Sequence, residues 1–521
     1  MSRIVQEGEI MRRGLTAAVA AAAIVGLAGC QNTGATGTSS AAPSHGSAGP
    51  TGASGSASAS SATSDTTDAA TTASYPLARS HPKPDSYYPQ HGVPYLDTLH
   101  YQLDLDWQPR SKRLSGTATI AFRVTTDRRT VRLELGSPLK VSKVVLDGRT
   151  VTSSRSGNDV IFKTPGIKAN SKHTVAITYA GRPALIQEPA QRSDVQKDGF
   201  HIGRNGQVWA FQEPFGAFTW YPTSDQPADK AYYDARLTAH DGQKGVFNGQ
   251  VTSTTVTGQD TTTWFHLDKP ASSYLTTIAF GKYKHEVATG PHGLPINYWY
   301  ANPNAPTLKL ARKTPQYLKW IEKLLGPYPF ASAGYLLVPG NSGMETQTLP
   351  TFSEALSKPT LADSEGDIVH ELVHQWFGDE ITPSDWKDMW LNESLTMYVE
   401  FRYYEMAHLP MSWGTYVEMQ ADGDQLLRDT QGPPGAYRKN DFGDLNVYLS
   451  GALMLHNLEK AYGRTNLDAA LKGWPATAKY GNSDRTKFAA YMSRALGPKA
   501  GPYITNWLTA KTTPKPLPKQ S

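Results

Sequence analysis

Cysteine is almost missing from this chain: Cys30 is the only one in 521 residues. An intramolecular disulfide is therefore excluded, and stability has to come from buried apolar surface. A strong charge of one sign is missing too. Lys and Arg number 51 against 46 Asp and Glu, a formal +5, of which the residues before Cys30 carry +1. So small an excess gives no ground for nucleic acid as a partner. No repeat of fixed period is evident. The apolar Ala-rich run at residues 15–26 falls short of the roughly 20 residues that a membrane-spanning helix needs. What the chain does have is 39% hydrophobic and 10% aromatic residues, enough for two or three globular domains with cores of their own.

The N-terminus accounts for the lone cysteine. Met11-Arg12-Arg13 is a basic start, the Ala-rich run follows, and Leu27-Ala28-Gly29-Cys30 closes it. This reads as a secretory signal. Small residues before a cysteine resemble the bacterial lipobox, which implies a diacylated Cys30 as the new N-terminus and an anchor on the outer face of a bacterial cytoplasmic membrane. The other reading is a plain signal peptide with an incidental cysteine. Residues 31–75 are Ser, Thr, Ala and Gly with Asp65 and Asp68 as the only charges, a composition that buries no core and reads as a flexible tether.

From 76 to 285 the pattern has period two. Tyr101, Leu103, Leu105 and Trp107 alternate with Gln102, Asp104 and Asp106. Turn pairs such as Asp147-Gly148 and Asn158-Asp159 separate the runs, so an antiparallel β domain is expected. Phe218, Trp220 and Tyr221 read as core. From 286 to 511 helical periodicity takes over: a helix started by Pro315, a short strand at 335–338, helices at 388–406, 445–460 and 484–509, and a Pro- and Lys-rich tail from 512. The fold class expected is α+β and multidomain.

The most informative stretch is Asp367 to Gly378, which contains His370-Glu371-x-x-His374. On a helix, residues four apart lie on one face, so both imidazoles can reach one Zn²⁺ while Glu371 is left to activate a water. Ser364 is the expected N-cap and Gly378 the expected C-terminal stop. Glu393 follows His374 after 18 intervening residues, within WLNES. A carboxylate there completes a His₂Glu site with the fourth position open for water. Asp388 and Glu400 flank Glu393; they read as solvated helix charges before they read as partners of the histidines.

The combination HELVHQWFGD and WLNES resembles the zinc aminopeptidases of the aminopeptidase N and leukotriene hydrolase type, with Ser394 in place of their glycine. The resemblance covers about residues 95–510 and leaves the large C-terminal helical domain of many relatives without a counterpart, which implies a more open site mouth. It implies an N-terminal β domain followed by a thermolysin-like, mainly helical catalytic domain with one Zn²⁺. It also implies that Tyr448, in YLSG where relatives have Y-x-K-G, stabilises the tetrahedral oxyanion, with Ser450 at the lysine position. Ser342-Gly343-Met344-Glu345-Thr346 resembles the G-x-M-E-N loop. That assigns the substrate amine to Glu345 and the peptide channel to Gly343 and Met344. Residues 210–231 resemble the segment that donates a second amine-binding glutamate, here Glu213. The usual glutamine falls at Phe211, with Gln212 adjacent.

Together these imply a zinc aminopeptidase acting on peptides with a free N-terminus through a metal-bound water, with Glu371 as general base. Three alternatives stay open: an inactive zinc-containing surface-binding lipoprotein, an endopeptidase and an epoxide hydrolase. If Cys30 carries the anchor, Cys30→Ser releases the protein from the membrane fraction; unchanged membrane retention on fractionation would refute lipidation.

Overall fold

The computed structural model describes residues 75–190, 195–203, 206–356, 360–409 and 423–520. The leader, Cys30 and the tether as far as residue 74 lie outside the described residues.

Alternation decides the first half. Tyr101, Leu103, Leu105 and Trp107 are all buried, while Gln102 faces solvent. Their strand, Leu96–Gln108, lies inside an eight-stranded sheet between Arg113–Val124 and Lys230–Ala239. Asp147 and Gly148, at φ 48° and 76°, make the two-residue turn from Lys140–Leu146 into Arg149–Thr150. Positive φ at both positions matches the right-handed twist of a hairpin. One pairing departs from the antiparallel expectation: Leu96–Gln108 and Lys230–Ala239 run parallel, with Tyr101 opposite Tyr233. No tight turn joins these two strands. Between them the chain lays down the strands from Arg113–Val124 to Val208–Phe211, the last three of which belong to a smaller five-stranded sheet, and then the Glu213 loop; such a long connection allows the return in the same direction. Phe218, Trp220 and Tyr221 are buried, as expected of core residues.

The second half is helical around a five-stranded sheet ordered Lys284–Thr289, Pro295–Tyr300, Ala333–Val338, Thr351–Ser353, Gly343–Met344. The helix Thr314–Leu325 buries Tyr317, Leu318, Ile321 and Leu325. The helix bearing His370 spans Leu361–Val373, four residues longer at its start than an N-cap at Ser364 would give. Leu361 and Ala362 are good helix formers and extend it by a turn. Ser364 is therefore an interior residue, not the N-cap, and its N–H bonds to the Thr360 carbonyl. Regular helix ends at Val373, yet the His374 N–H still reaches the His370 carbonyl at 3.2 Å, so the four-residue relation survives. Glu393 sits in the first turn of Trp390–Ala407. The expected helix at 445–460 opens as a π-helical turn, Asn446–Ser450, before Gly451–Tyr462. The expected helix at 484–509 is two, Arg485–Leu496 and Ala500–Thr509, because Gly497, at φ 126°, and Pro498 break it.

Polar contacts lock the halves together. The Asp85 carboxylate accepts from the Tyr87 and Tyr88 N–H groups and, across the interface, from Trp386 N–H at 2.7 Å. Ser86 donates to Asp385 at 2.6 Å, and the Tyr87 hydroxyl to the Tyr437 carbonyl at 2.6 Å. Lys230, buried at the start of its strand, donates to the Asp379 carbonyl at 2.6 Å and to Thr382 Oγ1 at 3.0 Å. Burial pulls its amine down to about 7, against the pull of Asp379 and Glu380. In the unfolded chain the same group titrates near 10.4. Between about 7 and 10 the unfolded state therefore holds the extra proton, and stability rises with pH. Denaturant unfolding of wild type and Lys230→Met should show the wild type gaining on the variant across that range; a constant difference would mean that Lys230 titrates normally.

Candidate metal centre

Two neighbouring helices bring the predicted triad together. One donor atom each from His370, His374 and Glu393 lies within 4.8 Å of the other two, and all three side chains are buried. Glu393 Oε2 is 3.3 Å from His370 Nε2 and 3.4 Å from His374 Nε2. A tetrahedral ion with ligands at about 2.0–2.1 Å sets its donors about 3.3 Å apart. The separations fit such an ion.

The remaining ring nitrogens are committed elsewhere. His374 Nδ1 donates to the Phe377 carbonyl at 3.0 Å, and Thr396 Oγ1 lies 3.3 Å from the same nitrogen. A carbonyl can only accept, so Nδ1 carries a proton and Nε2 is the nitrogen left to face Glu393: protonated it donates to that carboxylate, and a metal ion would displace that proton and take the lone pair. His370 Nδ1 lies 2.8 Å from Glu400 Oε2 and is fixed in the same way. Here the structure corrects the expectation of solvated helix charges. Glu400 is buried and orients His370. Asp388 is also buried but serves another element, accepting from Arg485 and from the Trp390 indole.

Two further carboxylates face the same space. One oxygen each from Glu213, Glu345 and Glu393 falls within a single 4.8 Å cluster. Neither Glu213 nor Glu345 is a solvated loop charge: both are buried, and Glu345 Oε1 has no hydrogen-bond partner among the described residues. Burial raises the Glu345 carboxyl, His374 lowers it and Glu393 raises it. Burial also pushes Glu371 up to about 8 against the pull of both histidines. Glu393 behaves oppositely: burial resists its ionisation, but the charge of His374 and hydrogen bonds from both histidines hold it at about 2. Buried carboxylates this close together call for cations. The donor set is hard and borderline, nitrogen and oxygen, which suits zinc.

The loop that delivers Glu345 is tied to the His370 helix by Gln375, a residue sequence reasoning passed over. Gln375 Nε2 donates to the Glu345 carbonyl at 3.1 Å, and its Oε1 accepts from Thr348 N–H at 2.7 Å. A polar residue between the buried Leu372 and Trp376 was the available signal. Gly343–Met344 forms the edge strand of the sheet beside this helix. A Cβ on Gly343 would stand 2.5 Å from the Phe352 ring and 2.7 Å from Glu371 Oε1, so glycine lets the strand approach the carboxylate. Thr346, at the asparagine position of the resemblance, closes its own loop by donating to the Leu349 carbonyl at 2.6 Å. Tyr448 lies on the π-turn with its ring stacked near His370, centroids 6.0 Å apart. Gln212 does not join the site. Its amide donates to the Ser273 and Thr276 carbonyls and its oxygen accepts from the Trp220 indole, so its polar atoms are spent inside the β half.

Comparison with known proteins gives a consistent picture. Residues 97–275 match the Peptidase M1 N-terminal domain and residues 311–507 the Peptidase family M1 domain. Aminopeptidase N of Lactobacillus delbrueckii subsp. lactis is 26% identical over 444 residues, 78% of this chain and 50% of the relative. Aminopeptidase B of Mus musculus is 27% identical over 347 residues, 59% of this chain and 50% of the relative. The chain thus spans about half the length of these curated relatives. Among solved structures, the M1 zinc metallopeptidase from Deinococcus radiodurans has a TM-score of 0.73 at 25% identity, covering 84% of this chain and all of that one. A mutant of a two-domain M1 zinc metallopeptidase bound to L-tryptophan has a TM-score of 0.74 at 25% identity, with the same coverage.

The hydrogen bond between Glu400 and His370 predicts its own test. Glu400→Ala should weaken divalent metal binding by about 10- to 100-fold while the fold persists, read by competition against a chelating dye. Unchanged affinity would make Glu400 irrelevant to the centre.

Proposed function

The chain belongs to the M1 peptidase family, and we propose that it is a zinc-dependent aminopeptidase that removes N-terminal residues from peptides. One observation carries the reading: Glu213, Glu345 and Glu393 crowd within 4.8 Å in a buried space, an excess of negative charge that a metal ion and a substrate ammonium group would together balance. His370, His374 and Glu393 would hold the ion, and Glu213 and Glu345 would receive the free α-amine. When bound, zinc supplies Lewis acidity and lowers the pKa of water to about 7.

The chain's own residues do the rest. Glu371, next to a ligand yet turned toward the Gly343 strand, takes the proton of the attacking water and returns it to the leaving amine. Tyr448 donates its hydroxyl to the oxyanion that forms at the scissile carbonyl. Gly343 and Met344 present an edge strand along which an extended peptide can lie, so the chain's first residue meets Glu345. Charge selects the terminus: an acetylated amine cannot balance the carboxylate pair. Surface display through Cys30 and the tether belongs to the same proposal and rests on the sequence alone.

The test uses aminoacyl anilides beside their N-acetylated equivalents. Wild type is expected to hydrolyse the free-amine substrates and to leave the acetylated ones intact. Glu371→Gln should keep its zinc and lose turnover by about 10²–10⁴-fold. Equal rates on both substrate sets would remove the exopeptidase assignment, and full zinc occupancy without turnover on any peptide would point to a binding protein.

A further inference from the structure

The chain departs from the family pattern at Ser394, and the structure gives that departure a task. Ser394 is fully buried, directly follows Glu393, and donates its hydroxyl to the Val447 carbonyl at 2.5 Å. Val447 directly precedes Tyr448 in the π-turn Asn446–Ser450. One hydrogen bond therefore joins the residue after a metal ligand to the residue before the tyrosine. The space for it comes from Gly451: a Cβ there would sit 1.9 Å from Ser394 Oγ. The same Cβ would also sit 2.4 Å from the Ser394 Cβ, so glycine at 451 makes room for a side chain at 394.

The far side of the turn is pinned separately. The Trp507 indole donates to the Ser450 carbonyl at 2.9 Å, and Arg428, fully buried with Asp424, reaches Ser450 Oγ at 3.2 Å. A π-turn has weaker internal bonding than an α-helix and takes its exact shape from such outside contacts. A misplacement of about 1 Å at a reacting group costs on the order of a hundredfold in rate.

We propose that Ser394 is a positioning residue. Its hydroxyl couples the Glu393 helix to the π-turn, so that Tyr448 is held at a set distance from the metal ligands. The inference rests on the reading of Tyr448 as oxyanion donor.

The experiment is a double-mutant cycle on the zinc-loaded enzyme with an aminoacyl anilide. Ser394→Ala should lower kcat about tenfold with KM within about twofold of wild type, at unchanged zinc content and thermal midpoint. Ser394→Gly serves the same purpose if the alanine variant does not fold. In a Tyr448→Phe background the Ser394 substitution should cause no further loss, because the tyrosine hydroxyl through which it acts is gone. Wild-type kcat in Ser394→Ala, or a full additional loss in the Tyr448→Phe background, overturns this inference and leaves the aminopeptidase reading intact. Wild-type kcat in Tyr448→Phe overturns the role of the tyrosine and the inference together.

Discussion

Everything in this molecule is arranged around carboxylates that should repel one another. Glu213, Glu345 and Glu393 share one buried space, with Glu371 beside them on the His370 helix. Water cannot screen charges there as it does at a surface, so the cluster is relieved either by protons, as the raised Glu345 and Glu371 carboxyls show, or by cations. The two histidines meet part of that demand through Nε2, and the hydrogen bonds to Glu400 and the Phe377 carbonyl keep those nitrogens aimed inward. The site is thus held open for positive charge by groups that do not touch the reacting atoms.

Rigidity comes from burial on either side of this space. The β half supplies Glu213 from a loop whose neighbours, including Gln212 and Trp220, are spent on internal hydrogen bonds. The helical half supplies the ligands from two packed helices and Glu345 from a loop that Gln375 ties down. Lys230 and the segment around Asp85 join the halves, so the distance between Glu213 and Glu345 is set by an interface as much as by either half alone.

Departures from the family pattern are absorbed by neighbours. Thr346 closes its loop where relatives have asparagine. Ser450 stands at a lysine position, and a buried Arg428 approaches it from another element. Ser394 finds both a partner in Val447 and room beside Gly451. Each change meets a partner nearby, and the donor atoms of this chain keep separations that fit one tetrahedral ion.

Local periodicities were legible without coordinates. Alternation from Tyr101 to Trp107 and the four-residue spacing of His370 and His374 are properties of a chain and its backbone geometry, so the β half and the pairing of the two histidines on one face could be read directly. The boundaries of helices could not, because Ser364 looks like a cap until the preceding turn is seen to be helical. Whether a charged residue is solvated is also not a local property. Glu400 and Asp388 look alike in sequence; only packing gives one to His370 and the other to Arg485. Gln212 looked like a site residue because it adjoins Phe211, where the resemblance puts a glutamine, but its amide is spent on the Ser273 and Thr276 carbonyls of the core. Sequence by itself determined which residues could bind a metal and which half of the chain is built from strands and which from helices. Tertiary structure alone decided which carboxylates converge, which are oriented by a neighbour and which merely pack, because those outcomes depend on contacts between residues far apart in the chain.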